Sequence, residues 1–297
     1  PPFDIICAIP TGSMCIATCI SVRYNKPMIF IRDNKKLYGT SQQIEGEYNK
    51  SSRCVLIDDV ITTGNSIQTA YSVLKNKIDT IYFSSIVDRQ MTSHTFSPHI
   101  SLFSKTNILI HLMKKYMTDK KSNICFSADI TDPNKLLDIL SVVGPRIIAC
   151  KLHFDIIDVS KYKGDFIQSL MILANKHNFL IIEDRKFVDI SYIVEKQYTK
   201  IKEWADLVTV HGSINKNVID KLSGVILVAN MSNNIFNYNS KCLQLAEKYS
   251  DRIFGFVTQQ RLECKNKLCL TPGVSLSNNT KDDQNYRKAD TINTDIL

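Results

Sequence analysis

At 297 residues the chain has room for two ordinary domains or one large α/β domain, and 44% hydrophobic with 22% charged residues is the make-up of a packed globule, not of a disordered or fibrous chain. The net charge of +8 arises from 37 Lys and Arg set among 29 Asp and Glu, never more than two basic residues together, as at Lys114-Lys115 and Lys120-Lys121; an anionic small substrate or plain solubility explains this without nucleic acid. No run approaches the roughly 18–20 apolar residues of a membrane span, no signal peptide is visible, and the nine Cys form no C-x-x-C pair, several of them (Cys7, Cys54, Cys125, Cys150, Cys269) reading as buried thiols in or beside apolar runs, so the expectation is a cytoplasmic protein with no membrane partner.

In chain order, apolar runs at Asp4–Ile9, Pro27–Ile31, Cys54–Ile57, Thr80–Val87 and Ile100–Phe103 read as strands separated by helical or looped segments. That alternation predicts a parallel sheet with helices on its faces. Within it, Val55–Ile67 is the informative stretch. A buried strand ends in Asp58 and Asp59; the loop Thr62, Thr63, Gly64, Asn65 and Ser66 then opens an amphipathic helix carrying Ile67, Ala70, Tyr71 and Leu74. A helix N-terminus behind small hydroxyl residues offers free amides and a positive dipole end to a phosphate, while the acids can meet a sugar hydroxyl or a metal. Acid-ended strands leading into Thr/Gly turns also serve as mere caps.

Those thirteen residues resemble the phosphoribosyl-diphosphate signature of type I phosphoribosyltransferases. The resemblance implies that Asp58 and Asp59 contact ribose hydroxyls, that Thr62 to Ser66 cradle the 5′-phosphate, and that Mg2+ travels on the diphosphate with no protein side chain as its ligand. Arg32-Asp33-Asn34-Lys35-Lys36 up to Thr40 resembles the catalytic loop of orotate phosphoribosyltransferases, and Val87-Asp88-Arg89 their orotate-contacting strand. Lys36 and Arg32 are then expected on the diphosphate and Arg89 on orotate. Asp33 stands where that family usually has a second lysine. The sequence opens on Pro1-Pro2 and lacks the part of that family that covers the orotate pocket, so the expectation is an incomplete N-terminus and an impaired transferase half.

Ile108, Leu109, Leu112, Met113 and Tyr116 have helical spacing ahead of polar Thr118–Ser122, which sets the expected organisation: a first domain at 1–105, a short linker or helix at 106–122 and a second domain at 123–297. Eight strand-like runs follow, at Ile124–Phe126, Ile147–Leu152, Phe179–Ile182, Leu207–Val210, Val225–Val228, Ile253–Val257, Leu268–Leu270 and Ile296-Leu297. Helical patterns at Leu136–Val143, Phe166–His177, Ile193–Trp204 and Lys241–Tyr249 lie between several of them, so the second domain is expected to be a (β/α)8 barrel.

Polar residues gather where these runs end: Ser127 and Asp129, Lys151 and His153, Asp184 and Lys186, Met231 and Ser232, Thr271 and Pro272. The densest group is Glu183 to Asp189, with five charges in seven residues directly after an apolar run. In extended backbone Asp184 and Lys186 point to one side, and Asp189 can return to them after a turn. A surface salt-bridge cluster is the plain alternative.

Together these positions resemble the orotidine 5′-monophosphate decarboxylase family in its eukaryote-like form, over about residues 122 to 297; a transferase of the orotate type ahead of it resembles the bifunctional uridine 5′-monophosphate synthases. The resemblance implies roles. Lys186 donates a proton to pyrimidine C6, Asp184 crowds the leaving carboxylate, and Lys151 and Asp189 complete an alternating charge row, Asp189 acting across a homodimer interface. Ser127, Asp129 and His153 hold ribose and base, Ser232 meets the base edge beside Met231, Pro272 lines the site, and Gln284 and Tyr286 take the phosphate. No cofactor is implied for decarboxylation. Ile193 stands where the family has a threonine, with Ser191-Tyr192 in place of Gly-Asn, and the sequence stops at Leu297 a few residues before the family's phosphate-clamping Gly-Arg, an expected C-terminal truncation. Competing expectations are a nucleotide-holding remnant that turns nothing over, and another lyase of this barrel group acting on a sugar phosphate.

Overall fold

The computed structural model describes residues 2–32, 43–89, 99–232, 236–275 and 287–288. The chain divides into two units, Pro1–Lys105 and Thr106–Leu297.

In the first unit the strands are β1 (Ile5–Ala8), β2 (Met28–Ile31), the two-residue β3 (Ile44–Glu45), β4 (Arg53–Ile61), β5 (Thr80–Asp88) and β6 (His99–Ser104), with apolar, often β-branched residues filling the buried positions of β1, β2 and β4. They form one sheet in the order β3-β2-β1-β4-β5-β6, parallel except for β3, which pairs antiparallel with β2 at the edge. Helices α1 (Met14–Tyr24) and α2 (Asn65–Leu74) follow β1 and β4. Ile5, Cys7, Leu56, Ile67, Ala70 and Leu74 share one buried cluster, and Ile6, Ala8, Ala17 and Ile57 another, so successive residues of β1 feed the two faces in turn. The β4 strand runs past the acids expected to end it, because Asp58 to Ile61 keep their pairing with β5.

The second unit opens with α3 (Lys105–Lys120) and continues β7 (Cys125–Ala128), α4 (Pro133–Val143), β8 (Ala149–Leu152), α5 (Phe166–His177), β9 (Leu180–Phe187), α6 (Ser191–Thr199), β10 (Leu207–His211), α7 (Lys216–Ile219), β11 (Val225–Val228), α8 (Asn239–Lys248), β12 (Ile253–Val257) and β13 (Leu268–Leu270). The seven strands are hydrogen-bonded in sequence order and all parallel, the arrangement of a β/α barrel wall. Two residues, Val274-Ser275, pair in parallel with Arg287-Lys288. The expected eighth strand at Ile296-Leu297 lies outside the described residues.

Sequence chemistry explains the boundaries. Asp132 accepts N–H groups of Asn134 and Lys135 ahead of Pro133, which starts α4 without losing a bond; Asp165 caps α5 through Gln168, and Asn178 ends α5 in a left-handed turn. The segment 106–122, expected as a short linker or helix, holds the helix α3 and clusters with the second unit. Its Leu109, Ile110 and Met113 pack on Ile148, Leu180, Leu207 and Phe254 at the strand starts. Thr106 Oγ1 donates to Arg252 O at 3.2 Å and accepts from Gly224 N at 3.1 Å, tying α3 to residues just before β12 and β11. The apolar stripe read there as helical covers one end of the sheet. With that end taken by α3, the polar residues gather at the other. No helix among the described residues is long and apolar enough to cross a membrane.

Candidate active site

The stretch Glu183–Phe187 does not follow its strand, as its charges suggested, but forms the second half of β9. Opposite it, Val208 of β10 pairs with Glu183 and Val210 with Phe187, so residues 184 to 186 face the single residue Thr209. This bulge is accompanied by a left-handed φ of 50° at Lys186. The buried face accepts the charges because they satisfy one another. Asp184, 6% exposed, receives Lys151 Nζ at 2.7 Å and Lys186 Nζ at 2.8 Å on Oδ2, and Thr209 Oγ1 donates to its Oδ1 at 2.7 Å. His153 Nε2 lies 3.4 Å from the same Oδ2 and 4.0 Å from Asp129 Oδ1.

Electrostatics follow from this geometry. Burial by itself would push the Asp184 carboxyl up, but the two ammonium groups prevail and hold it well below the usual carboxylate range. Burial likewise opposes the Lys151 ammonium, and the Asp184 charge overcomes it, lifting Lys151 above the ordinary lysine value. For His153, burial together with the nearby lysines lowers the imidazole pKa. The result is a preorganised Lys–Asp–Lys row at the C-terminal ends of adjacent parallel strands.

Around it, Ser127 near the end of β7 pairs in register with Lys151, and Asp129 follows β7; both are exposed. Met231 and Ser232 lie just beyond β11, and Pro272 just beyond β13, all half-buried. Asp189 is the exception. It is exposed, its Oδ1 accepts the N–H of Ile190 at 2.7 Å, and among the described residues it makes no ion pair with Lys151 or Lys186 of its own chain. The turn after Phe187 leads into α6 instead of folding back onto the row, so the intrachain return that the spacing allows is not made. Gln284 and Tyr286 lie outside the described residues.

Sequence reasoning passed over two residues. Thr209 is a lone hydroxyl in the apolar strand Leu207–His211, and this interruption is its one signal. Glu183, 2% exposed, accepts the N–H of Phe154 at 3.1 Å and so pins the backbone next to His153. Burial, with the Asp155 and Asp184 charges, pushes its carboxyl up to about 7.

In the first unit the acid pair sits within β4. Asp58 Oδ1 accepts the N–H of Asp59 at 3.0 Å, and burial together with the Asp59 side chain pushes the Asp58 carboxyl up to about 6. Thr62 and Thr63 precede Gly64, whose φ of 81° turns the chain into α2, with Asn65 and Ser66 exposed in the helix's first turn. The N-terminus of α2, whose cap residue Gly64 offers no side-chain hydrogen bond, thus follows the acid pair closely in the chain. Gly12, also unflagged by sequence, lies against Asp59: a Cβ there would be 2.0 Å from Asp59 Oδ2. Arg32 Nε pairs with Glu45 Oε1 at 2.8 Å, and Arg89 is exposed at the end of β5, its N–H on Ile61 O at 2.9 Å. Lys36 lies outside the described residues.

The chain is similar in sequence to known proteins. In an alignment that covers 92% of this chain and 74% of the other, the chain is 29% identical to uridine 5′-monophosphate synthase of Bos taurus. It is 34% identical over 223 residues to orotidine 5′-phosphate decarboxylase of Pichia kudriavzevii, covering 65% of this chain and 84% of that one. A solved UMP synthase of Leishmania donovani aligns at 27% identity and a TM-score of 0.34, over 39% of this chain and 26% of that one. Residues 122–296, which hold the whole lysine–aspartate row, match the model of one family, and the chain belongs to it: the orotidine 5′-phosphate decarboxylase / HUMPS family.

Proposed function

We propose that the second unit decarboxylates orotidine 5′-monophosphate to uridine 5′-monophosphate in pyrimidine biosynthesis, and the observation that carries this reading is the Lys151–Asp184–Lys186 row at the strand ends. The substrate carboxylate lies against Asp184, which two lysines keep ionised, so the ground state meets a fixed like charge. The C6–carboxylate bond breaks, CO2 leaves, and the bonding pair stays on C6. That carbanion-like centre is stabilised by the adjacent ammonium groups, and Lys186 delivers its proton to C6, to be recharged from solvent. The step calls on no cofactor. Ser127, Asp129 and His153 hold ribose and base, Ser232 the base edge, Met231 and Pro272 line the pocket, and Gln284 and Tyr286 take the phosphate. Asp189, exposed beside Val188, Ile190 and Tyr192, which are each more than half exposed, serves the site of a partner copy in a homodimer.

The first unit is the orotate phosphoribosyltransferase-like half, and its acid pair beside the α2 N-terminus supports phosphoribosyl diphosphate as ligand. Asp58 and Asp59 take the ribose hydroxyls, Thr62 to Ser66 the 5′-phosphate, Arg32 and Lys36 the diphosphate, and Arg89 orotate. No group of three or more His, Cys, Asp or Glu among the described residues could hold a metal ion, and a bare acid pair fits Mg2+ arriving on the diphosphate oxygens. All nine cysteines are free, in keeping with the cytoplasm.

The test is release of labelled CO2 from carboxyl-labelled orotidine 5′-monophosphate by the wild-type chain and by Lys186→Ala. Loss of the general acid is expected to lower kcat by at least about 10²–10⁴-fold. Equal rates in the two proteins would refute the reading, as would an inactive wild type that still binds the nucleotide.

A further inference from the structure

We propose that Thr209 is a positioning residue for the charge row: one hydroxyl on β10 sets both the orientation of the Asp184 carboxylate and the backbone of Lys186. This inference rests on the decarboxylase reading of that row. Thr209 is fully buried, its Oγ1 2.7 Å from Asp184 Oδ1 and 2.9 Å from the backbone N of Lys186. The directions of the two bonds are dictated by their partners. An ionised carboxylate only accepts and a backbone amide only donates, so the hydroxyl proton goes to Asp184 and an oxygen lone pair takes the Lys186 N–H. No other arrangement satisfies all three groups.

The location makes the contact consequential. Across the bulge, Thr209 alone faces three residues of β9, and Lys186 there adopts a left-handed φ that a non-glycine residue holds only when its surroundings impose it. A side-chain oxygen from β10 takes the amide at this step. On the carboxylate, Lys151, Lys186 and His153 all approach Oδ2, so Oδ1 is anchored by Thr209 and the plane of the group is fixed from behind. Without the hydroxyl, Asp184 is free to rotate and the part-buried Lys186 N–H loses its acceptor. Both reacting groups are then displaced together, though neither is removed.

Thr209→Val keeps the shape and deletes the hydroxyl; Thr209→Ser keeps the hydroxyl. For the valine variant the expected result is a fall in kcat of about 10²-fold with KM for orotidine 5′-monophosphate within about threefold, the pattern of a misplaced reacting group over an intact binding face. The serine variant is expected within about threefold of wild type. Amide hydrogen exchange gives a readout independent of turnover: exchange at Lys186 accelerates in Thr209→Val and stays near wild type in Thr209→Ser. Melting curves check folding, and Thr209→Ala, with the same expected losses, replaces the valine variant should that fail to fold. Wild-type kcat in the hydroxyl-free variant would overturn the proposal, and so would a serine variant as impaired as valine or unchanged exchange at Lys186. An inactive wild-type chain would defeat the decarboxylase reading instead, while the exchange comparison would still uphold or overturn the Thr209 contact.

Discussion

Glu183 should make the second unit less stable as pH rises, and Glu183→Gln should remove that dependence. Its carboxyl is displaced from 4.5 to about 7, first by burial and then by the Asp155 and Asp184 charges, against the opposing hydrogen bond from Phe154. With a folded-state pKa above the unfolded one, the native protein retains a proton that the unfolded chain has released between about pH 4.5 and 7, so the slope of stability with pH is negative in that window. The favourable state is fully present below the unfolded value and lost as pH passes the folded one. At about 1.4 kcal/mol per pH unit, the interval is worth roughly 3 kcal/mol. Glutamine keeps an acceptor for the Phe154 N–H without a charge to desolvate. Trp204, the single tryptophan, reports the right unit: it is buried and its ring is 5.3 Å from that of Phe154. In urea unfolding followed by Trp204 fluorescence, the stability of Glu183→Gln relative to wild type should rise by about 2–3 kcal/mol between about pH 5 and pH 8. Other titrating groups are common to both proteins and cancel in the difference. A difference that stays flat across this range would show that Glu183 ionises at its ordinary value and is not the buried acid argued here.

Two further outcomes can be checked directly. If Asp189 completes the site of a partner copy, mixing Lys186→Ala and Asp189→Ala chains, each nearly inactive alone, should restore up to about a quarter of sites, because half of randomly paired dimers are mixed and each of those holds one intact site; no recovery despite demonstrated subunit exchange would refute the two-fold arrangement. Gly12→Ala should weaken binding of Mg2+–phosphoribosyl diphosphate about tenfold or more by calorimetry, since a methyl would stand 2.0 Å from Asp59 Oδ2 and must move that carboxylate, and the cost of such a displacement falls on positioning; unchanged affinity would separate Asp59 from the ligand.

How far the sequence could be read depended on the physics at each position. Val225–Val228, Ile253–Val257 and Leu268–Leu270 were legible to the residue because an unbroken apolar run between polar segments has few alternatives to a buried parallel strand. The same rule failed at Phe179–Ile182, where the strand continues to Phe187: pattern reading assigns charges to solvent, whereas here Lys151 and Lys186 neutralise Asp184, and Phe154 engages Glu183. Mutual satisfaction is a property of three dimensions, and local composition does not carry it. The expected proximity of Asp184 and Lys186 was right by a different route. Two residues apart in a regular strand would suffice, but the structure reaches 2.8 Å through a bulge and a left-handed lysine, and that detour creates the demand for an acceptor that Thr209 meets. Thr209 lies more than twenty residues away in sequence, within a strand whose period says only that it is buried. Residues with chemistry of their own are thus visible in a sequence as charges and hydroxyls at strand ends, while a residue that acts by holding them becomes visible only once the register between neighbouring strands is known.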